Sequence, residues 1–564
     1  MIKILNSIMS TPARTPPTSQ QKGVVDAMQS GQDNVCVAFA GSGKTATGIE
    51  VAHELELPGY LLLFNRAARN NASARLPPGV AAITGHALAF AHVIESSDRY
   101  QQKLAGTLNP DDGAPLNGMA VAQALRLTNR SDPDIPAVNQ LATAILKTIE
   151  AFQVSAADRP DPDHVPKDVI PLQLRQPEFS DEVNALQARI ADHAKALWKR
   201  MASEHSPVPI NHDTYLKLFQ LRKQDLRAPL WILDEYQDTN PVVEALINQQ
   251  SGQRLSIGDP YQAIYGWRGA INAMAEPIRR GINTHYLTDS FRYNHQIAGM
   301  ATMLLRSLGE KVPVRGQPRD LHPVNTRDKH TVICRTNLTI LFRAGELLMR
   351  GHPVYVDGGM PWAPYKRLLS AMALYENRID DVKVGLLKQL GSWPALVEFA
   401  RSPAASPDIM TLIQMVEQYG PHLPVLLDRL KNQLPWKNPR AQGQTTLITA
   451  HRSKGRQFLQ VELDDDLALP DNLMNKLKSQ APLTLQERET VHVLYVALTR
   501  AELAILLPRG IKRNFRELHQ TFASADDTIN TFTAETVVPL TGGVEKADRA
   551  ARTAEFIRQH RKNS

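Results

Sequence analysis

VCVAFAGSGKTAT, residues Val35–Thr47, is the stretch that decides how the rest of this chain is read. Val35 to Phe39 is a continuous apolar run, as in strands buried on both faces of a parallel sheet. The small residues Ala40, Gly41, Ser42 and Gly43 form a loop, and Lys44 and Thr45 open a helix. Strand, small-residue loop and helix N-terminus in that order predict a phosphate cradle, because successive backbone N–H groups converge on an anion and small side chains let the backbone approach it. Lys44 supplies a point charge and the Thr45 hydroxyl a ligand for Mg2+. The strict pattern GxxxxGK[ST] has Ala38 in place of its first glycine, so a Gly-rich turn without a ligand is the competing reading of this stretch alone. The motif predicts nucleotide binding and leaves open what the energy is used for.

Working outward, a chain of 564 residues exceeds one hydrophobic core, and about three or four domains are expected. The 64 Lys and Arg against 57 Asp and Glu give a net charge of +7, a mild bias toward polyanions that an ordinary basic protein shares. Cys36 and Cys334 both lie in apolar runs, which predicts buried thiols rather than a disulfide or a zinc or iron-sulfur site. No apolar run reaches the length of a membrane span, and MIKILNSIMS is too weakly patterned for a signal peptide. The expected location is cytoplasmic and nucleoid-associated, with no membrane partner.

Gln21 precedes the first strand, where its amide suits both a donor and an acceptor of adenine; a solvated helix start is the alternative. Gly59 to Phe64 and Val80 to Thr84 read as further strands, ending in Asn65-Arg66 and in Thr84-Gly85-His86. Strand C-termini are where open α/β sheets contact ligands. Tyr100 to Arg222 turns largely helical, with acidic, Pro-rich breaks at Ser131 to Pro136 and Ala156 to Pro166. The sheet resumes at PLWIL, residues Pro229 to Leu233, which delivers Asp234 and Glu235. Two adjacent carboxylates at a strand end suit a metal ligand beside a water-polarising base, or else the start of the next helix. A strand over Arg254 to Ile257 then leads to GDPYQAIYGWRGA.

AFAGSGKT, DEYQDTNP and GDPYQAIYGWRGA, in this order, resemble the UvrD/Rep-like superfamily 1 DNA helicases. LTDSFRY at Leu287 to Tyr293, TAHRSKGRQF at Thr449 to Phe458 and LYVALTRA at Leu494 to Ala501 continue the likeness, which spans Thr18 to Pro508. NHDTYLKLFQ at Asn211 to Gln220 looks most like the F-box DNA helicase branch. With no room for an F-box before Gln21, the expectation is a stand-alone motor core.

The resemblance implies an α/β fold of two RecA-like P-loop domains with parallel sheets, each interrupted by a mainly helical insertion. The expected boundaries are 1–99 with 205–280 for the first domain and 100–204 for its insertion. The second domain takes 281–360 with 441–515, a small helical insertion 361–440, and a basic tail 516–564 follows. ATP and Mg2+ are the implied cofactors. Ala40, Gly41, Ser42, Gly43, Lys44 and Thr45 would hold the phosphates, Thr45 and Asp234 the metal, and Glu235 would activate water. Gln21 would contact adenine and Phe291 stack on it. Gln262 would sense the γ-phosphate, and Arg292 and Arg500 would reach it from the second domain. Gly455 and Gln457 belong to the fifth motif at the nucleotide. Phe64, Arg66, Thr84, His86, Tyr265, Trp267, Thr449 and His451 would contact DNA, although Tyr265 and Trp267 also read as ordinary core aromatics.

The implied activity is 3'-to-5' translocation on single-stranded DNA with unwinding of tailed or forked duplex. A translocase that strips proteins from DNA with little unwinding, and a nucleotide-gated DNA-binding scaffold, are the rival readings. Gln457 stands where relatives carry Glu, which predicts weaker coupling without loss of ATP binding. The 361–440 insertion and the tail, with its basic stretch Glu545 to Lys562, are the places for a protein partner; a solvated tail is the alternative.

Overall fold

The computed structural model describes residues 16–105, 116–127, 138–171, 174, 177–266, 272–326, 328–401, 407–434 and 445–522. Trp267, the break at Ser131 to Pro136 and the stretch Glu545 to Lys562 therefore lie outside the described residues. The chain is mixed α/β and divides into two compact units, 1–39 with 43–287, and 288–564 with Ala40–Ser42.

The first unit is built on a six-stranded parallel sheet in the order β3-β2-β4-β5-β1-β6. Its strands are β1 Asn34–Ala38, β2 Gly59–Leu62, β3 Val80–Ile83, β4 Leu230–Leu233, β5 Gln253–Gly258 and β6 Asn283–Leu287. All residues of β1 and β4 are buried, as the apolar runs demand of strands covered on both faces. The sequence breaks between β3 and β4 to make the helices Gly118–Leu125, Val138–Val154, Ser180–Ala202 and His212–Leu221. Leu141, Ile145, Ile149 and Phe152 share one face of Val138–Val154, the three- and four-residue period that made this segment legible.

Two buried lysines hold this helical region. Lys103 Nζ donates to the carbonyls of Arg200, Met201 and Ser203 at the end of Ser180–Ala202, at 3.0, 2.8 and 2.6 Å. Lys217 Nζ donates to Ser155 O at 2.9 Å and Ala157 O at 2.5 Å, just past Val138–Val154, and lies 4.5 Å from the centre of the Phe152 ring. Carbonyls at a helix C-terminus lack intrahelical donors and carry partial negative charge, so an ammonium satisfies both needs. Burial pushes both ammonium groups down to about 8.

The second unit has a five-stranded parallel sheet in the order β10-β11-β9-β12-β13. Its strands are β9 Thr331–Cys334, β10 Val354–Val356, β11 Thr445–Thr449, β12 Phe458–Leu463 and β13 Ala501–Leu506. β7 Asp289–Asn294 and β8 Arg315–Gln317 form a separate parallel pair. Between β10 and β11 lie the helices Trp362–Tyr375, Gly385–Leu390, Trp393–Ala400, Pro407–Tyr419 and Leu423–Gln433. Leu368, Leu412, Leu426 and Leu430 from these helices share a continuous core with Val332, Val354 and Leu447 of the strands. The helices between β10 and β11 thus pack as part of this unit's core.

Cys36 and Cys334 are buried free thiols on β1 and β9. No helix among the described residues is long and apolar enough to cross a membrane.

Candidate active site

The β1 chain end turns through Gly41 and Gly43, with φ of 82° and 91°, into the helix Lys44–Leu55. An L side chain is strained at such φ values, so glycine makes the turn possible. The N–H groups of Lys44, Thr45 and Ala46, in the first helical turn, have no intrahelical acceptor; the first such bond runs from Thr47 N–H to Gly43 O at 2.9 Å. A positive helix end with outward N–H groups favours an anion.

β4 brings two carboxylates to the same place. Thr45 Oγ1 donates to Asp234 Oδ2 at 2.5 Å, and Lys44 Nζ lies 3.7 Å from Glu235 Oε1. In a continuing strand, successive side chains would face opposite sides. Here Glu235 adopts φ 53°, ψ 40°, so the chain turns immediately after Asp234 and both carboxylates meet the phosphate loop's helix. A glutamate held at positive φ is strained backbone at a chemically loaded position. Burial first, then the neighbouring Glu235 charge, push the Asp234 carboxyl up to about 6, against the Thr45 hydrogen bond and Lys44. The alternative role of these acids as helix starters does not hold for the next α-helix: Pro241–Asn248 is capped by Asn240, which accepts from Val243 N–H at 3.1 Å.

Beyond β5, Gln262 is buried in the short turn Pro260–Gln262, and its Nε2 donates to Asp259 Oδ2 at 2.7 Å. Gln21 is also buried. It closes a capping box with Thr18 and donates to Thr47 Oγ1 at 3.1 Å, so its amide is anchored to the helix that starts at Lys44.

Among residues expected at DNA, Phe64 and Tyr265 stack on each other with ring centres 5.5 Å apart and planes 9° from parallel. Phe64 is exposed, so Tyr265 is a member of an open aromatic pair. Arg66 opens the helix Arg66–Ser73 and is exposed. Thr84 caps the short helix Gly85–Ala89, its Oγ1 accepting from Ala87 N–H at 3.1 Å. His86 Nε2 is 3.0 Å from Asp213 Oδ1, on the helix His212–Leu221.

In the second unit, Phe291 is exposed and its N–H donates to Gly41 O at 2.9 Å. Arg292 Nε donates to Gln457 Oε1 at 3.2 Å and its NH1 to Thr499 O at 3.1 Å. The neutral Gln457 is thus an acceptor for Arg292. Arg500 is buried, with Nε on Val496 O at 2.8 Å, NH1 on Arg456 O at 3.3 Å and NH2 on Thr499 Oγ1 at 3.0 Å. Thr449 is buried and caps the helix Ala450–Ser453, whereas His451 lies 4.0 Å from Glu489. Gly455 turns the chain at φ 77°.

Sequence reading missed Gln237 and Asp213. The glutamine lies inside DEYQDTNP and the aspartate inside NHDTYLKLFQ, stretches quoted for their neighbours or their likeness. Gln237 is a polar residue within a buried turn, whereas Asp213 is a half-exposed acid in the first turn of its helix, where an ordinary solvated residue is expected.

Residues 190–279 match the UvrD/REP helicase N-terminal domain. The chain is 28% identical over 534 residues to F-box DNA helicase protein 1 of Schizosaccharomyces pombe, covering 90% of this chain and 59% of that protein. It is 25% identical over 517 residues to F-box DNA helicase 1 of Gallus gallus, covering 87% and 49% respectively. A shorter match, 29% over 190 residues, joins it to DNA helicase II of Escherichia coli, covering 27% of this chain and 26% of that one. The chain spans about half to three-fifths of the length of the two F-box DNA helicases, by the shares of 49% and 59%. In its glycine-turned loop, the paired carboxylates after β4 and these matches, the chain is similar to the UvrD/Rep-like superfamily 1 helicases.

Proposed function

We propose that this protein is an ATP-dependent DNA translocase and helicase, moving 3'-to-5' on single-stranded DNA and acting on tailed or forked duplex. The observation that carries the reading is the meeting of Lys44 and Thr45 with Asp234 and Glu235 beyond the C-terminal ends of the interior strands β1 and β4. A buried carboxylate pushed up to about 6, beside a hydroxyl and a helix N-terminus, is the donor set a divalent cation with phosphate would compensate. The residues present therefore fit Mg2+ and ATP.

When bound, Mg-ATP supplies the phosphoanhydride whose hydrolysis drives movement. Thr45 and Asp234 would hold the metal, while Lys44 and the first-turn N–H groups would neutralise phosphate charge. Glu235 accepts the proton of the attacking water. Gln262 reports phosphate occupancy to the stretch ending at Tyr265, and Phe64 and Tyr265 stack DNA bases without reading sequence. Arg66, Thr84, His86, Thr449 and His451 line the backbone track. Arg292 and Arg500 are the further candidates to supply positive charge; Arg500 would have to exchange some of its carbonyl partners to do so. The proposed domains are 1–99 with 205–287 and 288–360 with 441–515, with insertions 100–204 and 361–440; β6 Asn283–Leu287 belongs to the first sheet and moves the expected boundary from 280 to 287.

ATP hydrolysis with and without single-stranded DNA, in the wild type and Lys44→Ala, tests the motor. Expected is DNA-stimulated turnover that the variant loses by about a hundredfold or more. Unstimulated hydrolysis indifferent to Lys44 would sink the reading. Strand displacement on 3'- and 5'-tailed duplexes tests polarity, and removal of a bound protein without displacement would favour the stripping translocase.

A further inference from the structure

Gln237 is fully buried in the turn Tyr236–Asp238, and its amide faces two partners of opposite kind. Nε2 donates to Glu235 Oε2 at 2.6 Å, with a longer contact to Asp238 Oδ2 at 3.4 Å. Oε1 accepts from Asp259 N–H at 2.9 Å. Asp259 is itself buried and continues the line: its Oδ2 accepts from Gln262 Nε2 at 2.7 Å and its Oδ1 from Tyr261 N–H at 3.1 Å. At the other end, Glu235 Oε1 lies 3.7 Å from Lys44. Gly258 is pressed against the same amide, and a Cβ there would collide with Gln237 Oε1.

We infer that Gln237 is a positioning residue for hydrolysis, fixing the Glu235 carboxylate by one oxygen and tying it to the Asp259–Gln262 turn. The inference rests on the motor reading above and names a residue that reading does not use. The chemistry of the amide is the reason. A glutamate would set a carboxylate against Glu235 and Asp238, and an apolar side chain would remove the acceptor of the buried Asp259 N–H. Holding Oε2 leaves the remaining oxygen of Glu235 directed toward Lys44, on the side of the phosphate loop, where a base must point. The same amide makes the orientation of Glu235 depend on the turn that carries Gln262. A shift of that turn, and of Tyr265 three residues on, therefore reaches Glu235 through one side chain.

The test uses the full chain with Gln237→Met and Gln237→Glu, each checked for folding by circular dichroism and thermal melting. Expected for Gln237→Met is a kcat for DNA-stimulated ATP hydrolysis lowered by about tenfold to a hundredfold, with the KM for ATP and the Kd for single-stranded DNA within about twofold. In Gln237→Glu, protonation gives the introduced carboxyl an O–H donor and a C=O acceptor like those of the amide. Its kcat, relative to wild type, should therefore recover as pH is lowered from 8 to 6, in a way Gln237→Met does not. A folded Gln237→Met with wild-type kcat would overturn the inference. So would a parallel loss of kcat, ATP affinity, DNA affinity and melting temperature, which marks a residue that only maintains the fold. Wild-type protein lacking Lys44-dependent hydrolysis would instead overturn the motor reading, and is seen before any Gln237 variant is compared.

Discussion

Asp234 carries the sharpest conflict between stability and chemistry at the level of a single residue. Its carboxyl is pushed from 3.8 up to about 6 by burial and by Glu235. The folded state therefore binds a proton more tightly than the unfolded chain, and stability falls as pH rises from about 4 through about 6. Above that window the ionised carboxylate costs on the order of 2–3 kcal/mol in the nucleotide-free protein. Asp234→Asn should accordingly raise the melting temperature at pH 7 while lowering Mg-dependent hydrolysis by a hundredfold or more, measured by calorimetry and ATPase assay. An unchanged or lowered melting temperature would contradict this account. The residue types Lys44, Thr45, Asp234 and Glu235 were readable because chemistry limits what can bind phosphate and metal. The left-handed backbone of Glu235, at φ 53°, was not. Nothing about a glutamate favours that conformation; the surrounding turn imposes it.

At the scale of elements, the helix His212–Leu221 joins two regions that sequence places far apart. Asp213 holds His86 after β3, while Lys217 serves the carbonyls beyond Val138–Val154. Replacing Lys217 by Met removes the donor those carbonyls share and the cation over Phe152, a loss of about 1–3 kcal/mol. A melting temperature lowered by several degrees, with ATP affinity retained, is the expected result by differential scanning fluorimetry. Asp213→Ala releases the His86 ring instead. If His86 contacts the DNA backbone, affinity for single-stranded DNA should drop a few-fold while basal hydrolysis is unchanged, measured by fluorescence anisotropy. The helical period exposed this element and its neighbours at sequence level. Their fastening was hidden, since a lysine in an amphipathic helix reads as solvent-facing until its carbonyl partners are known.

Over the whole molecule, function depends on residues assembled from distant segments. Phe64 at the end of β2 and Tyr265 beyond β5 form one stack. Each alanine variant should weaken single-stranded DNA binding by about 1–3 kcal/mol, and the double variant by less than the sum, because the rings support each other. Additive losses in that cycle would mean the rings act separately. With a net charge of only +7, affinity should rest on localised contacts: Arg66→Ala should reduce the slope of log K against log salt by about 0.7–1. The sequence by itself determined the mixed α/β class, the buried strands and the strand, small-residue loop and helix order of Val35–Thr47. Apolar runs, helical period and the narrow chemistry of phosphate and metal leave few alternatives locally. Only the tertiary structure decided that Gln237 bridges Glu235 and Asp259, that Gln457 receives Arg292, and that Arg500 is buried among carbonyls. Each of these depends on which polar atoms meet once distant strands and turns are packed. For Val35–Thr47 the same division holds: its residues specify a strand, a glycine-turned loop and a helix start, but the carboxylates that meet Lys44 and Thr45 arrive with β4, nearly two hundred residues later, through sheet pairing.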